Sequence, residues 1–173
     1  MARGFAFDVG AVLGVGKADA SPLPEAQEDE IILRIAKGLS LVQLRDSAIG
    51  QKLVAQEYWY GDYEWANQPV APGIYRLRVP VPGSFGKGFA EQHALLSEEE
   101  SPAPIALVAA ALLCLKKAGQ PDPYGGKWTR CAESTDGNCY GPETGWNAGL
   151  VGARLAWREL TDVYIGLSSV QTS

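Results

Sequence analysis

The chain has 173 residues, of which 46% are hydrophobic and 20% charged, and its formal net charge is −5. That length suits one domain, 1–173, with a sizeable core. An acidic balance without any basic run argues against nucleic acid as a direct partner, and no apolar stretch is long enough to predict membrane insertion.

Twenty glycines and 11 prolines point to many turns rather than a helical bundle. Residues 1–20 carry part of a secretory-signal pattern, with Arg3, an apolar stretch and Ala18-Asp19-Ala20. Asp8 and dense glycines break that pattern, so residues 1–24 are read as an N-terminal arm or strand. "GAVLGVGK", residues 10–17, suggests a phosphate loop, but the first required glycine falls on Ala11 and Lys17 precedes Ala18 rather than Ser or Thr.

The acids of "PLPEAQEDE", 22–30, followed by Ile31, Ile35 and Leu39, predict a first helix ended by Gly38. Ser40 and Gln43 form a capping-box signature for a second helix over 41–57. Residues 57–73 hold Tyr58, Trp59, Tyr60, Tyr63 and Trp65. Such rings either fill a core from a hairpin or loop, or form a docking surface for a partner. "IYRLRVPV", 74–81, alternates as a half-buried strand that Pro80 and Pro82 end or place at an edge.

"FAEQHALL", 89–96, predicts a short helix, and its His93 has no nucleophile nearby in sequence. "IALVAAALLCLKKAG", 105–119, predicts a deeply buried helix with lysines in its last turn and Gly119 as its stop. Strands are expected at 127–133, 150–158 and 163–170. A turn at Asp136-Gly137 and a loop-rich crossing over 139–149 join the first two. Helices before strands give an α+β class, with helices in the N-terminal two thirds and a small antiparallel sheet from the C-terminal third.

Three cysteines, Cys114, Cys131 and Cys139, are an odd count, which favours thiols over a disulfide framework. A Cys131–Cys139 bridge stays open as an alternative. With one histidine and no closely spaced cysteine pair, zinc is not expected, and no cofactor is.

Residues 128–170 carry a resemblance. "WTRCAES", Trp146-Asn147, "AGLVGARLAWRE" and "VYIGLSSV" are similar, in that order, to the closing strands and loop of a C-type lectin-like domain. The likeness is to the formylglycine-generating-enzyme branch, with Gly166 on the family's glycine. The enzyme's closely spaced cysteine pair is not matched by Cys131 and Cys139, eight apart. A calcium lectin's Trp-Asn-Asp appears here as Trp146-Asn147-Ala148, and its Glu-Pro-Asn is missing. The pattern is closer to the variable proteins of diversity-generating retroelements.

In those proteins substitution at template adenines replaces mainly asparagine codons. Outcomes such as Ala, Gly, Arg, Leu, Val and Tyr are accessible, whereas Trp, Lys, Glu, Gln and Met are not. Residues 151–156 and 163–164 all fall in the accessible set, with Trp157, Glu159 and Ile165-Gly166-Leu167 as fixed frame. The resemblance therefore implies a non-enzymatic binding protein with a hypervariable face of Tyr140, Gly152, Ala153, Arg154, Ala156, Arg158, Leu160 and Tyr164. Its partner would be a protein or a cell-surface ligand, met in the cytoplasm or on a virion or cell surface. Oligomeric state stays open. Two alternatives are a thiol-dependent oxidase using Cys131 or Cys139, and a scaffold domain docking through the aromatic cluster at 58–65.

Overall fold

The computed structural model describes residues 3–54, 61–135, 138–145, 150–157 and 165–172. Among these residues, ten strands and six helices form two sheets around one long helix, an α+β arrangement. The first sheet runs β1-β2-β3-β10-β4, from strands Phe5–Asp8, Ile31–Ile35, Gly73–Arg78, Ser169–Thr172 and Ser101–Pro102. β1 is parallel to β2, and the other pairs are antiparallel.

The first sheet corrects the expected helix at 31–39. Ile31–Ile35 is a strand buried at every position. Ile31, Ile35 and Leu39 match a helical spacing, but "IILRI" is a β-branched run that lies between β1 and β3, where both faces are covered. The acids before it do not open a helix either. Glu30 receives Arg76 Nη1 at 3.0 and 2.8 Å across the sheet.

The N-terminal segment is more than an arm. β1 leads into helix α1, Val9–Leu13, whose cap is Asp8, with Oδ1 accepting from Ala11 N at 2.8 Å. Gly14, in the left-handed region at φ 69°, closes it. The glycine-rich stretch thus builds a helix turn rather than a phosphate cradle.

The Ser40–Gln43 capping box is present at the start of α2, Leu41–Asp46. The expected helix over 41–57 is divided, however. Ser47 Oγ donates to Leu44 O at 2.6 Å and accepts from Gly50 N at 3.0 Å, which ends α2 and begins α3, Gly50–Leu53. Such local side-chain bonding competes with helix continuation. A further short helix, α4, spans Glu64–Asn67. β3 buries Tyr75 and Leu77 as the alternation predicts and stops two residues before Pro80. It lies inside the sheet, so the prolines end it rather than marking an edge.

Helix α5 spans Phe89–His93, shorter than the expected 89–96. Helix α6, Ile105–Lys117, is buried without interruption from Ile105 to Leu115. It lies against β2 of the first sheet and against β7 and β8 of the second. The second sheet holds β5 (Trp128–Arg130), β6 (Ser134–Thr135), β7 (Asn138–Gly145), β8 (Leu150–Trp157) and β9 (Ile165–Leu167).

Three C-terminal expectations change. The crossing at 139–149 contains strand β7. The sheet is not wholly antiparallel, because β5 and β9 run parallel. The last strand is two strands in different sheets, β9 and β10, separated at Ser168. That residue's Oγ hydrogen-bonds the Tyr124 hydroxyl at 2.6 Å and the Thr129 hydroxyl at 2.9 Å, and its carbonyl accepts from Ala103 N at 2.9 Å. The N-terminal two thirds contributes strands as well as helices, since β1 to β4 all come from it. Among the described residues, no helix is long and apolar enough to cross a membrane.

Candidate functional site

The resemblance places the candidate surface on the hairpin of β7 and β8, which pair over eight consecutive positions, from Asn138↔Trp157 to Gly145↔Leu150. Register decides which candidate residues can act together, because residues facing each other across a ladder share one face. Gly152, Arg154 and Ala156 stand opposite Glu143, Gly141 and Cys139 and form one set. Ala153 stands opposite Pro142, and Tyr140 opposite Leu155, which puts both on the other face. Arg158, Leu160 and Tyr164 lie outside the described residues, as do Trp146-Asn147 and Tyr58, Trp59 and Tyr60.

The neighbouring strand continues both sets of register positions, and β5 is buried at both Thr129 and Arg130. Trp128 pairs with Glu143, so Trp128 and Arg130 share the face of Gly152, Arg154 and Ala156. Thr129 shares the face of Tyr140 and Ala153, the side on which the buried Tyr124 meets Thr129 through Ser168. Burial holds the Tyr124 hydroxyl well above its ordinary titration range, so it acts as a neutral hydrogen-bonding group.

The frame beneath the hairpin is tightly made. Ile165, Gly166 and Leu167 pair with Trp128, Thr129 and Arg130 and are fully buried. A Cβ added at Gly166 would lie 2.9 Å from the Phe85 ring and 3.1 Å from Ser84 Oγ, so a larger residue there would have to displace one of these side chains. Ser84 Oγ also accepts from Leu167 N at 3.0 Å. Gln92 Nε2 donates to Ser84 O at 2.8 Å and to Ile165 O at 3.1 Å, while Gln92 Oε1 accepts from Arg130 Nη1 at 2.8 Å. Local sequence patterns did not reveal Ser84, Gln92 or Arg130 as frame residues. The one signal was an arginine inside the strand-like "WTRCA", where a charge needs a buried partner.

The two thiols among the described residues, Cys114 and Cys131, are poorly placed for nucleophilic chemistry. Cys114 sits inside α6, and burial pushes its thiol up to about 12. Cys131 is buried as a thiol, whereas reactive cysteines sit partly exposed near positive charge. His93 is exposed on α5 and packs its ring on Phe89, with centroids 4.2 Å apart. Among the described residues, no three His, Cys, Asp or Glu side chains converge as a metal site.

A second feature lies apart from the hairpin. A cleft of about 500 Å³ opens between α4 and the start of α6, lined by Tyr63, Glu64, Trp65, Pro104 and Glu133 among others. Both Glu133 carboxylate oxygens accept from Ile105 N, at 3.0 and 2.8 Å. Burial pushes this carboxyl up from 4.5 to about 7, against the opposing pull of the backbone donors.

The sign of the pH dependence follows. The native state holds this proton more tightly than the unfolded chain does. The stability it contributes is present below about pH 4.5 and is lost as pH rises through about 7. Glu133→Gln, which cannot titrate, should therefore gain in melting temperature relative to the parent as pH rises from 5 to 8. A difference that stays constant over that range would show the carboxyl to be ordinary.

No family model matches this sequence, and no curated protein or solved structure matches it either.

Proposed function

We propose that this chain is a non-enzymatic ligand-binding protein that presents a diversified recognition surface on a C-type lectin-like scaffold, in the manner of the variable proteins of diversity-generating retroelements. The observation that carries the reading is the division within the second sheet. Its frame, Ile165-Gly166-Leu167, is buried, and Gly166 packs closely against Phe85 and Ser84. The hairpin strand β8 is built from residues that adenine-directed variation can reach, over 151–156.

The proposed recognition face lies on this hairpin. Gly152, Arg154 and Ala156 form its core, and Arg158, Leu160 and Tyr164 extend it beyond the described residues. Tyr140 and Ala153, at alternate register positions of the same hairpin, complete it. Exchange at a solvent-facing position shifts stability by about ±0.5 kcal/mol, whereas one well-placed tyrosine or arginine contributes about 2 kcal/mol or more to binding. A surface that varies without unfolding its scaffold is therefore physically attainable. The ligand would be a protein or a cell-surface molecule.

The coding locus tests this directly. A reverse transcriptase should lie nearby, with an imperfect second copy of the segment encoding 138–170. The two copies should differ opposite template adenines. Absence of the copy, or differences spread evenly over all four bases, would sink the proposal.

A further inference from the structure

The cleft between α4 and the N-terminal end of α6 is not used by the recognition face. Tyr63 and Trp65 bring two rings to it, with centroids 5.8 Å apart and planes tilted by 33°. Tyr63 is 37% exposed, the one large apolar side chain among the described residues that is exposed in this way. Pro104 adds an apolar surface, and Glu64 and Glu133 bring carboxyl groups from two different elements. Among the described lining residues there is no lysine or arginine to neutralise them.

We propose that this cleft is a binding site for a small organic cation, an alkylated ammonium carried on an apolar body. Each part of the site matches a part of that ligand. Aromatic faces attract ammonium groups through their negative quadrupole. A largely buried carboxylate opposite them supplies the counter-charge. A volume near 500 Å³ lies within the usual range for small-molecule sites.

Glu133 does help to cap α6 through Ile105 N, but capping explains one hydrogen bond and not the company of two rings and a second acid. Capping is ordinarily done by a short Ser, Thr, Asp or Asn at the cap position. Here the cap position is Pro104, and the carboxylate arrives from the segment between β5 and β6. With no cation in place, burial makes ionisation of Glu133 costly; an ammonium in the cleft would offset that cost.

The test uses benzyltrimethylammonium, whose charge does not depend on pH, together with neopentylbenzene, its uncharged isostere, and phenylacetate, an anion of similar shape. Titration calorimetry on the full chain at pH 8 should show saturable one-to-one binding of the cation. The isostere should bind at least tenfold more weakly and the anion not at all. Lowering the pH from 8 to 6 should weaken cation binding as Glu133 takes up its proton.

Glu133→Gln should reduce cation affinity at least tenfold and abolish the pH dependence. Tyr63→Ala, at an exposed ring, should weaken binding while leaving the fold intact by circular dichroism. Three results would each overturn the proposal: equal affinity for the cation and its isostere, unchanged affinity in both variants, or no binding at millimolar cation. None of these bears on the β8 surface, so the two proposals fail separately.

Discussion

Gln92→Leu is expected to lower the stability of the chain by about 3 kcal/mol or more, while leaving the circular dichroism of the folded protein unchanged. Gln92 is fully buried and satisfies two backbone carbonyls, those of Ser84 and Ile165, with one amide nitrogen. Its oxygen meets the guanidinium of Arg130, which is itself fully buried and also donates to Lys87 O at 3.2 Å. Leucine keeps most of the volume and removes every one of these bonds. An orphaned buried carbonyl costs about 1–3 kcal/mol, and a hydrogen bond to a charged group contributes about 1.5–3 kcal/mol.

Urea denaturation measures the loss. The double variant Gln92→Leu with Arg130→Met separates the contributions, because it removes the buried charge together with its acceptor. Recovery of part of the lost stability in the double variant is the expected coupling. Strict additivity, or a single-variant loss below about 1 kcal/mol, would mean that packing rather than this polar network holds α5 to β9.

This network also shows where sequence reading stops. α6 was legible because eleven consecutive buried positions are written as an unbroken run of alanines, leucines and other apolar residues. The start of α2 was legible because Ser40 and Gln43 cap each other within one turn. β8 was legible from the alternation of Val151, Ala153, Leu155 and Trp157 with the residues between them. Each of these signals is local.

The failures are of the opposite kind. "IILRI" carries no alternation, since a strand covered on both faces has no polar side, so a chance i, i+4 recurrence reads as helix. β7 contains Gly141, Pro142 and Gly145 and looks like a loop. Pairing on both sides, with β8 and with β5 and β6, makes it a strand. β9 and β10 read as one strand because Ser168 looks unremarkable until Tyr124 and Thr129 arrive from some 40 residues away.

The candidate surface shows the same division. Alternation along β8 separates Gly152, Arg154 and Ala156 from Ala153 by inspection. The face of Tyr140 cannot be read that way, because it depends on the register between β7 and β8. Glu133 gave no signal at all. Its environment is made by α4 and α6, both distant in sequence.

Arg34→Met is expected to detach the segment after α1 from the edge of the first sheet and to cost about 3–5 kcal/mol. Arg34 lies in β2 with its side chain almost wholly buried. Its Nη1 donates to Asp19 O at 2.9 Å and to Ser21 O at 2.7 Å, and its Nη2 to Pro22 O at 2.8 Å. The same guanidinium stands 3.7 Å from the Asp8 carboxylate, which in turn accepts from Asp19 N at 3.1 Å. Methionine retains the apolar stem, but three carbonyls lose their donor and a buried carboxylate loses its cation. Since the bonds run to residues 19–22, the loss should fall first on that segment.

Trypsin cleavage after Lys17 under native conditions reads the local effect. Opening made easier by about 3 kcal/mol corresponds to roughly a hundredfold faster cutting, at 1.4 kcal/mol for each tenfold. Adding Asp8→Asn should restore part of the stability, because the orphaned charge is then gone, while leaving cleavage fast, because the carbonyls remain without their donor. A variant that melts earlier yet is cut no faster after Lys17 would refute the local role. Arg34 would then support β2 as a whole, and the segment after α1 would be held by its own turns.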